Sequence, residues 1–547
     1  MRELQPREKR LQLLIAAILL APLLVAFWGS GGFTDAYNNV PSTNGASAAR
    51  QGALMLAMGR SLLIGFLAVL IALVLGIPAG WALAQRQRRL WLLVLTALPL
   101  ALPASVAVSG WVALLAPTFI STFAQTSSDS TASTHGILFS VWGAAIILGC
   151  GLWPIVAFEL WPAFKQARNE SYDAAVLCGS RARAFMRIVL PQVKGELAAG
   201  ALLVFLLASN DFSVSSLLLI RTLPIEIHDA LTVGKTASAA WAALPLILEV
   251  CIMAVILGWC RTGQKGYQPT SNSSLAVPVT CWARIALISG ILLGFVLPMW
   301  ACYHGITTEA VQPLSQSFKA GLDSLGSTFR LAGAATLLSI LVAVLRLVVW
   351  PDTRNPALNA AGLFLLAVPG SFLAAALLEI YTTSAPLLKH LPLNVSAALP
   401  TAMLTLGYLM RFIYLPLRLV EEGLAGIDPD MMDAAAMAGH GRISRAVTIA
   451  LPLLGSHIAA AAALVFILSL GELPIADRLH PPGVTPAMVW LFQQQHMGYD
   501  ETVFGLSLLL GVVAAVTLLA SGILGAIFIQ SFQHARVSQL EVRRREL

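Results

Sequence analysis

About twelve stretches of roughly twenty apolar residues run along this chain, each long enough for a helix to cross a bilayer. They fall at Leu11–Trp28, Ser61–Ala84, Leu90–Leu115, Gly136–Leu160, Leu197–Ile220 and Ala239–Trp259. A second set falls at Trp282–Cys302, Phe329–Trp350, Ala357–Tyr381, Ala397–Leu417, Gly455–Ile475 and Phe504–Ile529. Charged residues make up 11% of the chain and hydrophobic ones 57%. Soluble domains carry about 25% charged residues, and no soluble core takes up so much apolar surface. The expectation is an all-α polytopic membrane protein. The first stretch follows Arg2, Arg7, Lys9 and Arg10 but lacks a small-residue cleavage site, so it reads as a retained helix. Pro99 and Pro103 predict a kink in the third stretch.

The net charge of +7 invites a nucleic-acid reading, which the placement of the charge excludes. With both termini in the cytoplasm, the outer side keeps only Arg50, Arg60, Arg221, Lys235, Lys319, Arg330, Lys389 and Arg478 of the 34 basic residues. The others, including Arg86, Arg88, Arg89, Arg181, Arg183 and Arg187, face the inner leaflet. Trp81, Trp91, Trp153, Trp161, Trp300 and Trp350 stand near span ends, as an interfacial belt would place them. The cysteines Cys150, Cys178, Cys251, Cys260, Cys281 and Cys302 show no CxxC spacing. They read as small apolar fillers, with no disulfide framework or metal site.

The two sets of spans carry one signature twice. DAAVLCGSRARAFMRIVLP begins at Asp173 and DAAAMAGHGRISRAVTIALP at Asp433. Each opens Asp-Ala-Ala-x-x-x-Gly (Asp173, Ala174, Ala175, Gly179; Asp433, Ala434, Ala435, Gly439). Each ends Ile-x-Leu-Pro at Pro191 or Pro452, the second copy one residue longer between Gly and Pro. Asp211 follows Pro191 at the distance at which Glu472 follows Pro452, and Pro103 and Pro369 sit in matching spans. This predicts two tandem six-helix units, 1–262 and 282–547, joined by a basic linker over 263–281. Units of even crossing number point the same way in the membrane.

The two stretches resemble the EAA loop of ABC importer permeases, the membrane components of binding-protein-dependent transport systems, with Asp here in place of the first Glu. Two such loops in one chain resemble the fused permeases of the ferric iron and thiamine importer group. The resemblance implies that loops 163–194 and 421–455 each form a coupling helix that docks on an ATP-binding subunit. The acid would suit the positive end of that helix, the small residues would admit a partner surface, the Gly would permit the turn, and the Pro would start the next helix. It further implies a dimer of ATPase subunits holding ATP and Mg, no cofactor on this chain, an extracytoplasmic solute-binding protein, and a bacterial inner membrane. The solute would be iron(III) first, with thiamine, polyamines, sulfate or molybdate as others of the kind.

No ATP-hydrolysing motif or other enzymatic constellation is apparent. Gly234-Lys235-Thr236 lacks the first glycine of a phosphate loop, since Asp229 stands there. Carboxylates inside spans cost about 2.5–3.5 kcal/mol on insertion scales and usually face a cavity or a partner. Asp211 and Glu472 therefore either line the pathway near its outer mouth or cap helix ends. Glu249 and Glu379 either meet the solute or bond a neighbouring helix. The Pro-rich stretch from Leu473 to Thr502 is either a docking loop for a binding protein or plain packing. The rival reading is an ion-driven secondary transporter with an internal duplication, working without an ATPase.

Overall fold

The computed structural model describes residues 45–85, 90–115, 137–167, 170–262, 281–309, 314–349, 356–388, 393–497 and 500–546, with positions 17, 20, 21 and 23. Most of the expected first span, the linker 263–281 except Cys281, the segment Ser121–Thr134, and Trp350 lie outside them. Every regular element among the described residues is a helix. Five helices are long and apolar enough to cross a membrane: Gly52–Ala84, Val141–Lys165, Cys281–Ile306, Gly321–Val348 and Thr502–Phe528. Five further pairs pass the same test as bent units, giving up to ten spans.

The outer surface of these helices is apolar. Leu63, Phe66, Leu70 and Val74 form one exposed stripe at helical spacing, and Val516, Leu519, Ile523 and Ile527 form another. Water would penalise such continuous patches, whereas lipid accepts them. The protein is membrane-embedded.

Lipid gives helices no hydrophobic reason to associate, so close backbone approach has to hold them together. Gly76 and Gly80 provide it. A Cβ at Gly76 would stand 2.9 Å from Trp153 O, and one at Gly80 would stand 3.0 Å from Ala157 O. Helix Gly45–Gln85 thus lies directly along Val141–Ala167. Gly110 seats helix Leu297–Glu309 on Ala104–Leu115 in the same way, since a Cβ there would strike Pro298 O. Two of the tryptophans expected at the interface are core residues instead. Trp153 is buried and donates Nε1–H to Gly290 O at 3.1 Å. Trp81 is buried against Phe164, Tyr172 and Phe185, with ring centroids 5.4, 5.6 and 5.0 Å away. Trp91 and Trp300 are exposed. Of the cysteines, Cys150 and Cys302 are buried, and Cys251 and Cys281 are exposed; all four are free thiols.

Proline explains the breaks. Leu90–Ala101 and Ala104–Leu115 meet at 80° across Leu102-Pro103. Pro356–Ala367 and Gly370–Leu388 are joined through Val368-Pro369, with a 106° bend. A proline ring cannot donate and clashes with the carbonyl four residues back. Where the helix instead runs through a proline, it widens first. The π-helical turns Phe185–Val189, Leu292–Val296 and Ala446–Ala450 all end two residues before Pro191, Pro298 and Pro452. In each, the N–H next to the proline reaches the carbonyl five residues back, which relieves the clash.

The fifth span of each expected set is shorter than its apolar run. Lys194–Ser209 and Gly455–Leu470 contain 16 residues each, about 24 Å of helix. Asp211 and Glu472 therefore lie beyond the helix ends, not inside the spans. Both helices are entered from a bent piece ending at Gln192 or Leu453, at 76° and 73°. The series short helix, turn, one-turn helix, π-turn, proline turn and long helix occurs at 170–209 and again at 429–470.

Candidate functional site

The two loops come first. Helix Glu170–Cys178 ends at Gly179, and helix Pro429–Met437 ends just before Gly439. Asp173 and Asp433 stand a turn inside these helices. The acid expected at the helix start is instead Asp428, whose Oδ1 accepts the Asp430 N–H at 3.0 Å. Gly439 adopts φ +85. There the His440 N–H reaches Ala435 O at 3.0 Å and the Gly439 N–H reaches Ala436 O at 3.1 Å, a Schellman turn that requires a left-handed residue. Gly179 is not left-handed. The first copy has one residue fewer, and its next helix begins at Arg181, so it turns more tightly. Ala174, Ala434, Gly179, Gly439 and Pro191 are exposed, and Ala175, Ala435 and Pro452 are half-buried.

Each short helix also carries an apolar side chain that nothing covers. Leu177 is 88% exposed and Met437 is 90% exposed. Each stands two residues before its glycine.

The two loops are seated on the helical body by different chemistry. Tyr172 and Phe185 pack on Trp81 and hold the first. An ionic cluster braces the second. Glu421 Oε1 lies 3.7 Å from Arg346 Nη2, its Oε2 accepts a hydrogen bond from Asn359, and both charged side chains are buried.

The second region lies where both broken spans meet the end of Gly455–Leu470. Gly471 lies against Pro103, where a Cβ would come within 3.2 Å of the ring. Gly370 lies against Glu472, where a Cβ would come within 2.7 Å of Oε1. Arg411 Nε pairs with Glu472 Oε2 at 3.2 Å, and its Nη1 donates to Val368 O. The guanidinium thus serves the carbonyl end of one half-span while the carboxylate faces the amide end of the other, as the helix dipoles favour. Asp211 lies within electrostatic reach of both Arg411 and Glu472. Tyr408, one turn before Arg411, is buried within reach of Glu472.

Each carboxylate faces the start of the helix that follows it. Asp211 Oδ1 accepts the Val214 N–H at 2.7 Å, and the Ile475 N–H faces the Glu472 carboxylate. Glu249 accepts a hydrogen bond from Ser209 Oγ at 2.6 Å and so ties two neighbouring helices. Arg411 was the residue that sequence reasoning passed over. It counts as an inner-side charge by position, yet it is held by a buried carboxylate. Its signal was a lone Arg between Met410 and Phe412 in an otherwise apolar run.

The Pro-rich stretch after Leu473 is folded in rather than loose. Helix Pro474–Leu479 is followed by helix Ala487–Met497, which buries Ala487, Met488, Val489 and Leu491. The N–H of Ala487 donates to Thr328 Oγ1 at 2.7 Å, and in the first set the N–H of Leu223 donates to Ser61 Oγ at 2.9 Å. Arg478 crosses to helix Leu223–Thr232, where it donates to His228 O and Thr232 Oγ1, each at 2.7 Å. Asp477 Oδ2 lies 3.7 Å from His228 Nε2.

Burial, and then the Arg478 charge, hold His228 below the ordinary 6.5, against the opposing pull of Asp477 and Asp229. The neutral ring packs on Phe212. The folded state therefore binds fewer protons than the unfolded state near pH 6. The stability contributed by His228 is full above pH 6.5 and is lost as pH falls below it. Acidification should lower the melting temperature of the purified chain more than that of His228→Gln. Parallel curves would exclude this role.

No family model matches the chain, and no curated protein matches it.

Proposed function

We propose that this chain is the membrane permease subunit of an ATP-driven ABC importer, in which two tandem six-helix units enclose the solute pathway. The observation that carries this reading is the pair of loops at 170–192 and 429–453. They match element for element, and each presents an uncovered apolar residue, Leu177 or Met437, beside a glycine turn. A monomeric surface gains nothing from two such side chains at matched positions, whereas a partner groove would bury them. The paired Ser61 and Thr328 bonds and the paired Pro103 and Pro369 breaks favour a duplicated unit.

In this reading a dimer of separate ATP-binding subunits holds ATP and Mg and grips both loops. Its closure rocks the two units and switches the pathway from inward-facing to outward-facing. A solute-binding protein delivers the solute from outside. The membrane is the bacterial cytoplasmic membrane, with both termini inside. The resemblance points to iron(III) or a small solute such as thiamine. Asp211, Glu472 and Glu249 are the candidate pathway residues of this reading, Glu249 being bonded to Ser209 just ahead of Asp211.

Affinity purification of the full chain from its native membranes tests the reading and is expected to bring an ATP-binding subunit with it. Gly439→Val, which forces a β-branched residue to positive φ, is expected to weaken that association. Transport by the lone chain in liposomes under an ion gradient, with no ATPase present, would establish the secondary-transporter alternative. Labelling of cysteines engineered into both loops from outside intact cells would defeat the coupling role outright.

A further inference from the structure

We infer that Arg411 is a tethered cation closing a subsite for an organic cation, and that the solute's own positive group replaces it between Glu472 and Asp211. The inference rests on the permease reading for its context, but its chemistry stands on the site.

The charge does not balance locally. Two carboxylates, Asp211 from the first unit and Glu472 from the second, lie within electrostatic reach of one guanidinium, which pairs with Glu472. The unmet groups at the carboxylates are two acceptors, against one unbonded buried hydroxyl close by in sequence, that of Ser469. Glu472 is 7% exposed, and its Oε1 is buried without a donor while Oε2 holds Arg411. Asn210, beside Asp211 and also 7% exposed, has a buried Oδ1 without a donor, its Nδ2 being used on Leu206 O and Ser209 Oγ. Buried acceptors of this kind are costly unless something donates to them. An anion would add acceptors to a region already short of donors. A cation would supply what is missing.

The residue types further narrow the ligand. Among the described residues, no group of three or more His, Cys, Asp or Glu is placed to hold a metal ion. Tyr408 is buried within electrostatic reach of Glu472 and brings an aromatic ring to this region. Carboxylate and ring together suit a protonated or quaternary nitrogen, which gains from both. The location suits passage as well. Arg411 also holds Val368 O at the break of Pro356–Ala367 from Gly370–Leu388. Moving the guanidinium off Glu472 would also loosen its hold on Val368 O, while Pro369 keeps the bend itself.

The test is binding to the purified full chain in lipid nanodiscs by calorimetry, with thiamine, spermidine and methylguanidinium as cation probes and sulfate and molybdate as anion controls. Arg411→Ala is expected to bind at least one cation probe tenfold or more tighter than wild type, and Arg411→Ala with Glu472→Gln is expected to lose the gain. Arg411→Lys, which keeps the tethered charge, should bind like wild type. It also serves as the folded reference if Arg411→Ala is poorly stable, in which case Glu472→Gln and Asp211→Asn in the wild-type background must each weaken cation binding. Failure of all three cations to bind Arg411→Ala would overturn the inference, as would affinity that ignores Glu472. Sulfate or molybdate binding that vanishes with Arg411 would overturn it too, since the guanidinium would then be the ligand for an anion. The assay contains no ATPase, so its outcome is independent of whether the permease reading survives.

Discussion

Glu421→Ala should cost the purified chain about 3–5 kcal/mol of stability, because it leaves the Arg346 guanidinium buried without its counter-charge. Arg346 side-chain exposure is 4% and that of Glu421 is 6%, with 3.7 Å between their charged atoms. Asn359 loses its acceptor in the same substitution. Arg418 is a poor replacement partner for anything left behind, since it is itself a cation and already pairs with Glu422 at 2.8 Å. The pair braces the long helix Leu314–Val349 against Pro356–Ala367 and Tyr414–Ala425, just ahead of the second loop. Removing both charges together tells a different story. Arg346→Met with Glu421→Leu fills the space with apolar groups and removes both buried charges, so it should return most of the loss. Reversible unfolding in mixed micelles of the two single variants and the double variant measures the coupling. Additive losses would mean that the two side chains do not act as a pair.

How much of this was readable beforehand follows from what each feature depends on. Apolar run length dictates spans, because lipid leaves backbone groups no other partners than their own helix. The bend at Pro103 was readable for the same local reason, a missing donor. The ends of the fifth spans were less so. The apolar run continues past Asn210-Asp211 and Gly471-Glu472, and only the contacts at Val214 and Ile475 show where the helix stops. Packing was hidden for a different reason. Trp81 and Trp153 sit at sequence positions typical of an interfacial belt, but Trp153 is buried against Gly290 of a distant helix and Trp81 against Phe164, Tyr172 and Phe185. Arg411 was hidden because its partner Glu472 lies past the end of another helix, and pairing across the fold leaves no periodic trace. The loops were legible as a repeated string, but not the departure between them. Only the backbone shows that Gly439 is left-handed and Gly179 is not.

If the proposed permease reading holds, Leu177→Asp and Met437→Asp should each leave the fold intact and weaken association with an ATP-binding subunit by tenfold or more, and together they should abolish it. Side chains 88% and 90% exposed contribute little to the chain's own stability, so the melting temperature should barely move. Docking is another matter. Fully burying a Leu or Met side chain is worth about 1.5–3 kcal/mol, and each 1.4 kcal/mol is a factor of ten in affinity. An aspartate in the same groove loses that gain and adds the cost of an unpaired carboxylate leaving water. Because one chain would grip two subunits at once, the two losses multiply rather than average. The loops differ in how they are held, by aromatic packing at Tyr172 and Phe185 and by the Arg346–Glu421 pair near the second. The Arg346–Glu421 pair is buried, and salt screens buried pairs little. Raising the salt concentration should therefore affect the defects of Met437→Asp and Leu177→Asp alike. Co-purification and ATP turnover of the complex, measured for both variants at low and high salt, provide the readout. If both variants retain full association, the exposed apolar pair is not the handle by which this chain is driven.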